Sequence, residues 1–127
     1  MPRLARAVAA GIFAAWACVA RPVAAADGGV AAREIAGLIE ELGASGCRFE
    51  RNGRWYEAGR ARAHLQRKYD WARRRGLAGT AEEFIDRAAS RSSISGRPYR
   101  VRCPGRPEID SQAWFRDVLG RLRARGV

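Results

Sequence analysis

Three groups of residues in this chain carry side chains that chemistry needs. The first lies between Ala58 and Arg75, where Ala58, Ala61, Leu65, Tyr69 and Ala72 recur at helical spacing. Turning each residue by about 100° along that helix gathers Arg60, His64, Lys68, Trp71 and Arg75 on one flank of the apolar stripe. A basic flank with one His and one Trp suits a phosphate, a sugar or a carboxylate-bearing partner. The plainer reading is that His64 and Trp71 border the core while the cations are solvated. The second group is the serine-arginine stretch from Ser90 to Arg102, with Arg91, Ser93, Ser95, Gly96, Arg97 and Arg100. It reads either as an anion-binding concavity or as an ordinary capped loop. The third is a carboxylate set, Glu50, Glu57, Glu82 and Glu83. Paired acids can hydrolyse a glycosidic bond. Here Glu82 and Glu83 have a local role at a helix start, and the other two sit among arginines.

Catalytic arrangements are thin. Ser93 or Ser95 as a nucleophile needs a base, and His64 is the only histidine. Asp70 and Asp86 are the acids that could orient it, but no Gly-x-Ser-x-Gly signature is present. No Cys-x-x-Cys occurs, so neither redox nor metal chemistry has a local motif, and no metal or cofactor is expected.

The elements that must hold these groups can be read from periodicity. After a flexible start at residues 27–30, Ile35, Leu38, Ile39 and Leu42 predict a helix of about three turns from Ala31, ended by Gly43 to Gly46. Cys47–Arg51 and Arg54–Glu57 flank Asn52-Gly53, the strongest local hairpin signal because both residues tolerate positive φ. A second helix runs from Ala58 to about Arg75. Thr80 with Glu83 three residues on forms a capping box for a third, which turns Phe84, Ile85, Ala88 and Ala89 inward. Tyr99, Val101 and Cys103 share a face and predict a third strand within Pro98–Cys103. Asp110 or Ser111 caps a last helix that buries Trp114, Val118, Leu119 and Leu122. The order is α-β-β-α-α-β-α: a single small α+β domain over 27–127, its short antiparallel sheet packed by helices, the third strand beside the first.

Residues 1–26 read differently. Arg3 and Arg6 precede an apolar run from Ala7 to Ala20, and Ala24-Ala25-Ala26 supplies small residues before Asp27. Basic, then apolar, then small is the order of a cleaved signal peptide, so a periplasmic or secreted location is expected. The run is too short for a bilayer span, which takes roughly twenty residues. Trp16 stands where a lipidated Cys18 would need a small residue. Cleavage would remove Cys18 and leave Cys47 and Cys103, an even pair read as a disulfide in an oxidising compartment. It would also take Arg3, Arg6 and Arg21 from the net charge of +11, leaving +8. That surplus favours an anionic partner. Arginine-rich, lysine-poor composition is equally what GC-rich coding produces, and export argues against nucleic acid.

The order of short motifs is itself informative. Ser45-Gly46-Cys47-x-Phe49-x-Arg51-Asn52-Gly53-x-x-Tyr56 precedes Ala63-His64-Leu65-x-x-Lys68-Tyr69, then Ala81-Glu82-x-Phe84-Ile85. Ala89-Ser90-x-Ser92-Ser93-x-Ser95-Gly96-x-Pro98-Tyr99-x-Val101-x-Cys103 follows. From about Ile35 to Trp114 the chain resembles a family of short exported bacterial proteins known as domain of unknown function 5329. The resemblance implies a periplasmic or secreted protein with the Cys47–Cys103 pair and supplies no activity. Its motif includes His64, Lys68 and the Ser92–Tyr99 loop.

These readings converge on a non-catalytic binding protein of the cell envelope. The flank Arg60, His64, Lys68 and Trp71, with Arg91, Ser93, Ser95 and Arg97, would contact an envelope protein or an anionic glycan or lipid headgroup. The competing expectation is a small hydrolase or transferase with His64 as general base.

Overall fold

A computed structural model describes residues 23–127 of the chain; most of the expected signal segment lies outside the described residues. Four helices pack against a four-stranded antiparallel sheet. Helix α1 spans Val23–Ala44, β1 Arg48–Arg51, β2 Arg54–Glu57 and α2 Ala58–Arg74. Helix α3 covers Ala81–Phe84 and passes into a π-helical turn at Ile85–Ala89. Strands β3, Arg100–Arg102, and β4, Ile109–Asp110, lead into α4 at Ser111–Ala124. Among the described residues, no helix is long and apolar enough to cross a membrane.

Helix α1 begins earlier than its apolar stripe suggests, so residues 27–30, expected as a flexible start, are helical. The surrounding alanines, the best helix formers, outweigh Gly28 and Gly29. The cleavage point expected after Ala26 falls within this helix. Ile35, Leu38, Ile39 and Leu42 are all buried, as the spacing requires. A Cβ at Gly37 would stand 3.0 Å from Leu122 of α4, and one at Gly43 only 2.6 Å from Arg62 of α2. Glycine at these two points lets α1 lie close to both neighbours.

The hairpin turns at Asn52 and Gly53 with φ of 50° and 80°, the two positive angles of a type I′ turn. The strand order is β2-β1-β3-β4, with Phe49 opposite both Tyr56 and Val101. Phe49 and Val101 face the core, where Phe49 meets the edge of Trp114 at 5.5 Å and Trp114 meets Phe115 at 4.9 Å. The outer face alternates in the opposite sense. Arg48 pairs with Glu57, Arg100 with Glu108 and Asp110, and Arg102 with Glu108 while covering Trp55 at 4.3 Å. Cys47 and Cys103, just outside β1 and β3, form the expected disulfide.

Three details depart from the sequence pattern. Strand β4 was not expected, being two residues long, and it continues the sheet through Arg100 opposite Asp110. Asp110 occupies the cap position of α4, yet its carboxylate binds Arg100 instead of the helix. In α4 it is Phe115 that is fully buried, whereas Trp114 remains half-buried.

The π-helical turn also escaped the sequence pattern. Ser90 Oγ donates to the Ile85 carbonyl at 2.5 Å, Ser111 Oγ to Ala89 at 2.7 Å and Lys68 Nζ to Ala88 at 3.1 Å. Carbonyls released by the wider turn thus take side-chain donors, two of them from distant elements. Thr80 behaves as expected, accepting the Glu83 N–H at 3.2 Å. Between α1, α3 and α4, the buried Glu34 carboxylate meets Arg123 at 2.7 Å, and Arg123 also reaches Glu82 at 2.6 Å.

Candidate functional site

Strand β1 ends at Arg51, and the hairpin carries this side chain to the exposed flank of α2. Its Nη1 lies 2.7 Å from Nδ1 and 3.0 Å from Nε2 of His64. A guanidinium only donates, so the imidazole must present a lone pair to it. Burial first, then the charges of Arg51, Lys68 and Arg67, push the His64 pKa down to about 4. The ring is therefore neutral at pH 7.

One turn further along α2, Lys68 Nζ donates to the Ala88 carbonyl and, at 3.2 Å, to the Tyr99 hydroxyl. Burial and the nearby Arg51 lower the Lys68 pKa. Burial raises that of Tyr99, which keeps its proton. Arg51 and Arg60 stand over the Tyr56 ring at 5.1 and 5.7 Å. The hydrogen bond from Arg51, reinforced by the charges of Arg51, Arg54 and Arg60, lowers the Tyr56 pKa.

The serine loop closes against the hairpin tip. Asn52 Nδ2 donates to Ser92 Oγ at 3.3 Å, and Ser95 Oγ donates to Asn52 Oδ1 at 2.5 Å. Ser92 Oγ also accepts the N–H groups of Ile94 and Ser95, and Ser95 Oγ that of Arg97. The hydroxyls of Ser92 and Ser95 thus serve the loop itself. Arg91 pairs through its backbone with Pro98, and Arg91 and Arg97 remain exposed.

Two hollows meet at this flank. The smaller, about 80 Å³, is lined by Arg51, Tyr56, Arg60, His64, Tyr99 and Phe115 among others, and Glu50 is its acid. The larger, about 530 Å³, lies between α2 and the α3 segment and has a mainly apolar lining. Trp71, Leu77 and Phe84 contribute that lining, with Lys68, Arg87 and Ser93 at its edges. His64 and Arg67 line both. Trp71, half exposed, is covered by Arg75 at 4.2 Å.

Of the residues the sequence pattern singled out, the fold brings His64, Lys68 and the serine loop around Tyr99 and the hairpin tip, with Arg60 lining the smaller hollow and Trp71 the larger. The pattern missed the roles of Arg51, Asn52, Tyr56 and Tyr99. All four stand in the recurring motif, where they read as hairpin and strand residues. The acids considered as partners of His64 are engaged elsewhere: Asp70 accepts from Gln66 at 3.0 Å, and Asp86 from Gln112 and Arg116 at 2.8 and 2.9 Å. Glu57 and Glu82 are committed to Arg48 and Arg123.

Charge is unevenly paired across the molecule. Among the described residues, arginines of the sheet's outer face and of α4 have carboxylates within 4.0 Å, as does Arg62 on the α1 side of α2. Arg51, Arg54, Arg60, Arg67 and Lys68 have no such ion pair among the described residues. Arg51, Arg60, Arg67 and Lys68 of this group line the two hollows; Arg33, Arg73, Arg74, Arg75, Arg87, Arg91, Arg97 and Arg106 likewise have no ion pair among the described residues.

The His64 environment has a measurable consequence. Its folded pKa of about 4 lies below its ordinary value of 6.5, so between these values the unfolded chain binds the proton first. Stability contributed by His64 is present above pH 6.5 and is lost as pH falls towards 4. Urea unfolding of wild type and His64→Gln from pH 7.5 to 4 is expected to show a flatter decline in the variant. Parallel declines would mean that the folded ring titrates normally.

Residues 30–123 match the model of a family described as "Family of unknown function (DUF5329)". The chain belongs to this family. The matched span includes every residue of the site just described. A similar relative is the "Uncharacterized protein YfeK" of Salmonella typhimurium (strain LT2), 47% identical over 51 residues. That similarity covers 40% of this chain and 41% of the relative, so the DUF5329 chain spans less than half the length of that protein. No solved structure matches.

Proposed function

We propose that this DUF5329 protein is a non-catalytic binding protein of the bacterial cell envelope that receives an anionic group at the junction of Arg51, His64 and Lys68. One observation carries the reading. While Arg48, Arg100 and Arg102 on the sheet's outer face are paired, Arg51, Arg60 and Arg67, without ion-pair partners among the described residues, line a cavity of about 80 Å³ beside Lys68. Their mutual repulsion helps depress the His64 and Lys68 pKa values, and an anion would relieve it. Arg51 offers planar donors suited to a carboxylate or phosphate. Support for the envelope comes from the basic-apolar-small order of residues 1–26. The disulfide adds to it, as such bonds persist mainly in oxidising compartments.

A hydrolase or transferase with His64 as base has weaker support. A base with a pKa of about 4 is poorly matched to neutral pH, and its ring faces a guanidinium where an orienting carboxylate would be needed.

The test is thermal unfolding in phosphate against chloride at matched ionic strength. At a phosphate concentration ten times its dissociation constant, stabilisation is about 1.4 kcal/mol, a rise of several degrees. The rise should vanish in Arg51→Gln/Lys68→Met. An equal rise in that variant, or none in wild type, overturns the reading.

A further inference from the structure

We infer that the groove between α2 and the α3 segment holds the acyl chain of a long-chain fatty acid, whose carboxylate meets Lys68 and Arg67 at the groove's polar end. The inference rests on the anion-binding reading and names its ligand. A volume of about 530 Å³ falls in the range of small-molecule sites. Its floor is apolar, built from Ile35, Tyr69, Ala72 and Phe84. Trp71 and Leu77, 48% and 53% exposed, line it as large apolar side chains left in water. An acyl chain covering them would remove that surface from solvent at about 25 cal/mol per Å².

The polar end limits the head. His64 and Arg67 belong to both hollows, so the groove opens directly onto the cationic cavity. That cavity, about 80 Å³, has room for a few waters. A carboxylate fits where the two hollows meet, between Arg67 and Lys68, whereas a glycerol-phosphate headgroup with further substituents does not. The acid on the groove lining, Glu83, sits at the first turn of α3 and would repel a carboxylate placed beside it. Lys68, on the π-turn side with its amine on Ala88, supplies the opposite charge. A second copy of the chain suits the groove less well, because it would bring Arg67, Lys68, Arg75 and Arg87 of both copies together.

Direct binding of butyrate, octanoate and dodecanoate, each below its micelle concentration, decides the matter, with intrinsic tryptophan fluorescence as the readout. Affinity is expected to rise steeply with length, by up to about fourfold per buried methylene. Leu77→Asp should weaken dodecanoate at least tenfold while leaving the phosphate-induced thermal shift unchanged. Lys68→Met should weaken both, and Arg67→Glu, at an exposed position, provides the same comparison if Lys68→Met folds poorly. Affinity that is flat with chain length, or untouched by Leu77→Asp, overturns the fatty-acid assignment. If the phosphate shift persists in that case, the anion site stands without it. Tight, Leu77-dependent binding that ignores Lys68→Met and Arg67→Glu, with no phosphate shift, would overturn both readings. A concentration-dependent dimer dissociated by Leu77→Asp in sedimentation would assign the groove to a second copy instead.

Discussion

Replacing Cys47 and Cys103 together by alanine is expected to lower the unfolding free energy by about 4 kcal/mol. The bond joins residues 56 apart in sequence, and in the chain-entropy description a loop of that length is strongly restricted in the unfolded chain. The enclosed segment contains the hairpin, α2, α3 and the serine loop, so Arg51, Tyr56, Arg60, His64, Lys68 and Tyr99 all lie within the clasp. Domains of this size have roughly 5–15 kcal/mol in total. The variant should therefore remain folded under mild conditions but with a much lower urea midpoint. Its phosphate response should survive wherever it is folded, because neither cysteine lines the two hollows. A loss below about 1 kcal/mol would show that β1 and β3 restrain the unfolded chain without the bond, in conflict with the entropic account.

The second large effect is expected at Phe115. Its side chain is 1% exposed, packs edge-on against Trp114 and forms part of the wall of the cationic cavity. Phe115→Ala removes the ring and leaves a void that the surrounding helices fill only in part, at a cost of about 3–5 kcal/mol. Phe115→Leu, which retains most of the volume, should cost much less. The paired urea curves check this, and equal losses for the two variants would rule out cavity formation as the cause. Since the ring forms part of the cavity wall, the alanine variant should also lose affinity for anions by more than its folded fraction explains.

Much of this architecture follows from local chemistry. Asn52-Gly53 specifies a type I′ hairpin because both residues accept positive φ. Ile35, Leu38, Ile39 and Leu42 specify a buried helical face, and Thr80 caps α3 through a hydroxyl three residues from its donor. Each of these signals acts over one or two turns of chain. The choice between Trp114 and Phe115 did not resolve in that way. Adjacent helical positions are about 100° apart, and only the placement of Phe49 and α1 decides which ring turns fully inward. Strand β4 is too short for any pattern, and the π-helical turn depends on donors from Lys68 and Ser111, 20 and 22 residues from the carbonyls they meet.

The candidate site divides along the same line. By itself the sequence determined that His64, Lys68 and Trp71 share a flank of one helix, that a serine loop precedes β3, and that the chain carries a large positive surplus. Helical repeat and composition are enough for those statements. Only the tertiary structure decided that Arg51 reaches His64 across 13 residues and that Asn52 holds Ser92 and Ser95 across 40 and 43. It likewise set Tyr99 against Lys68 and directed the neighbouring acids to other arginines. The physical reason is that charge pairing and burial depend on distances between elements, and sequence spacing does not encode those distances until the sheet and helices have packed.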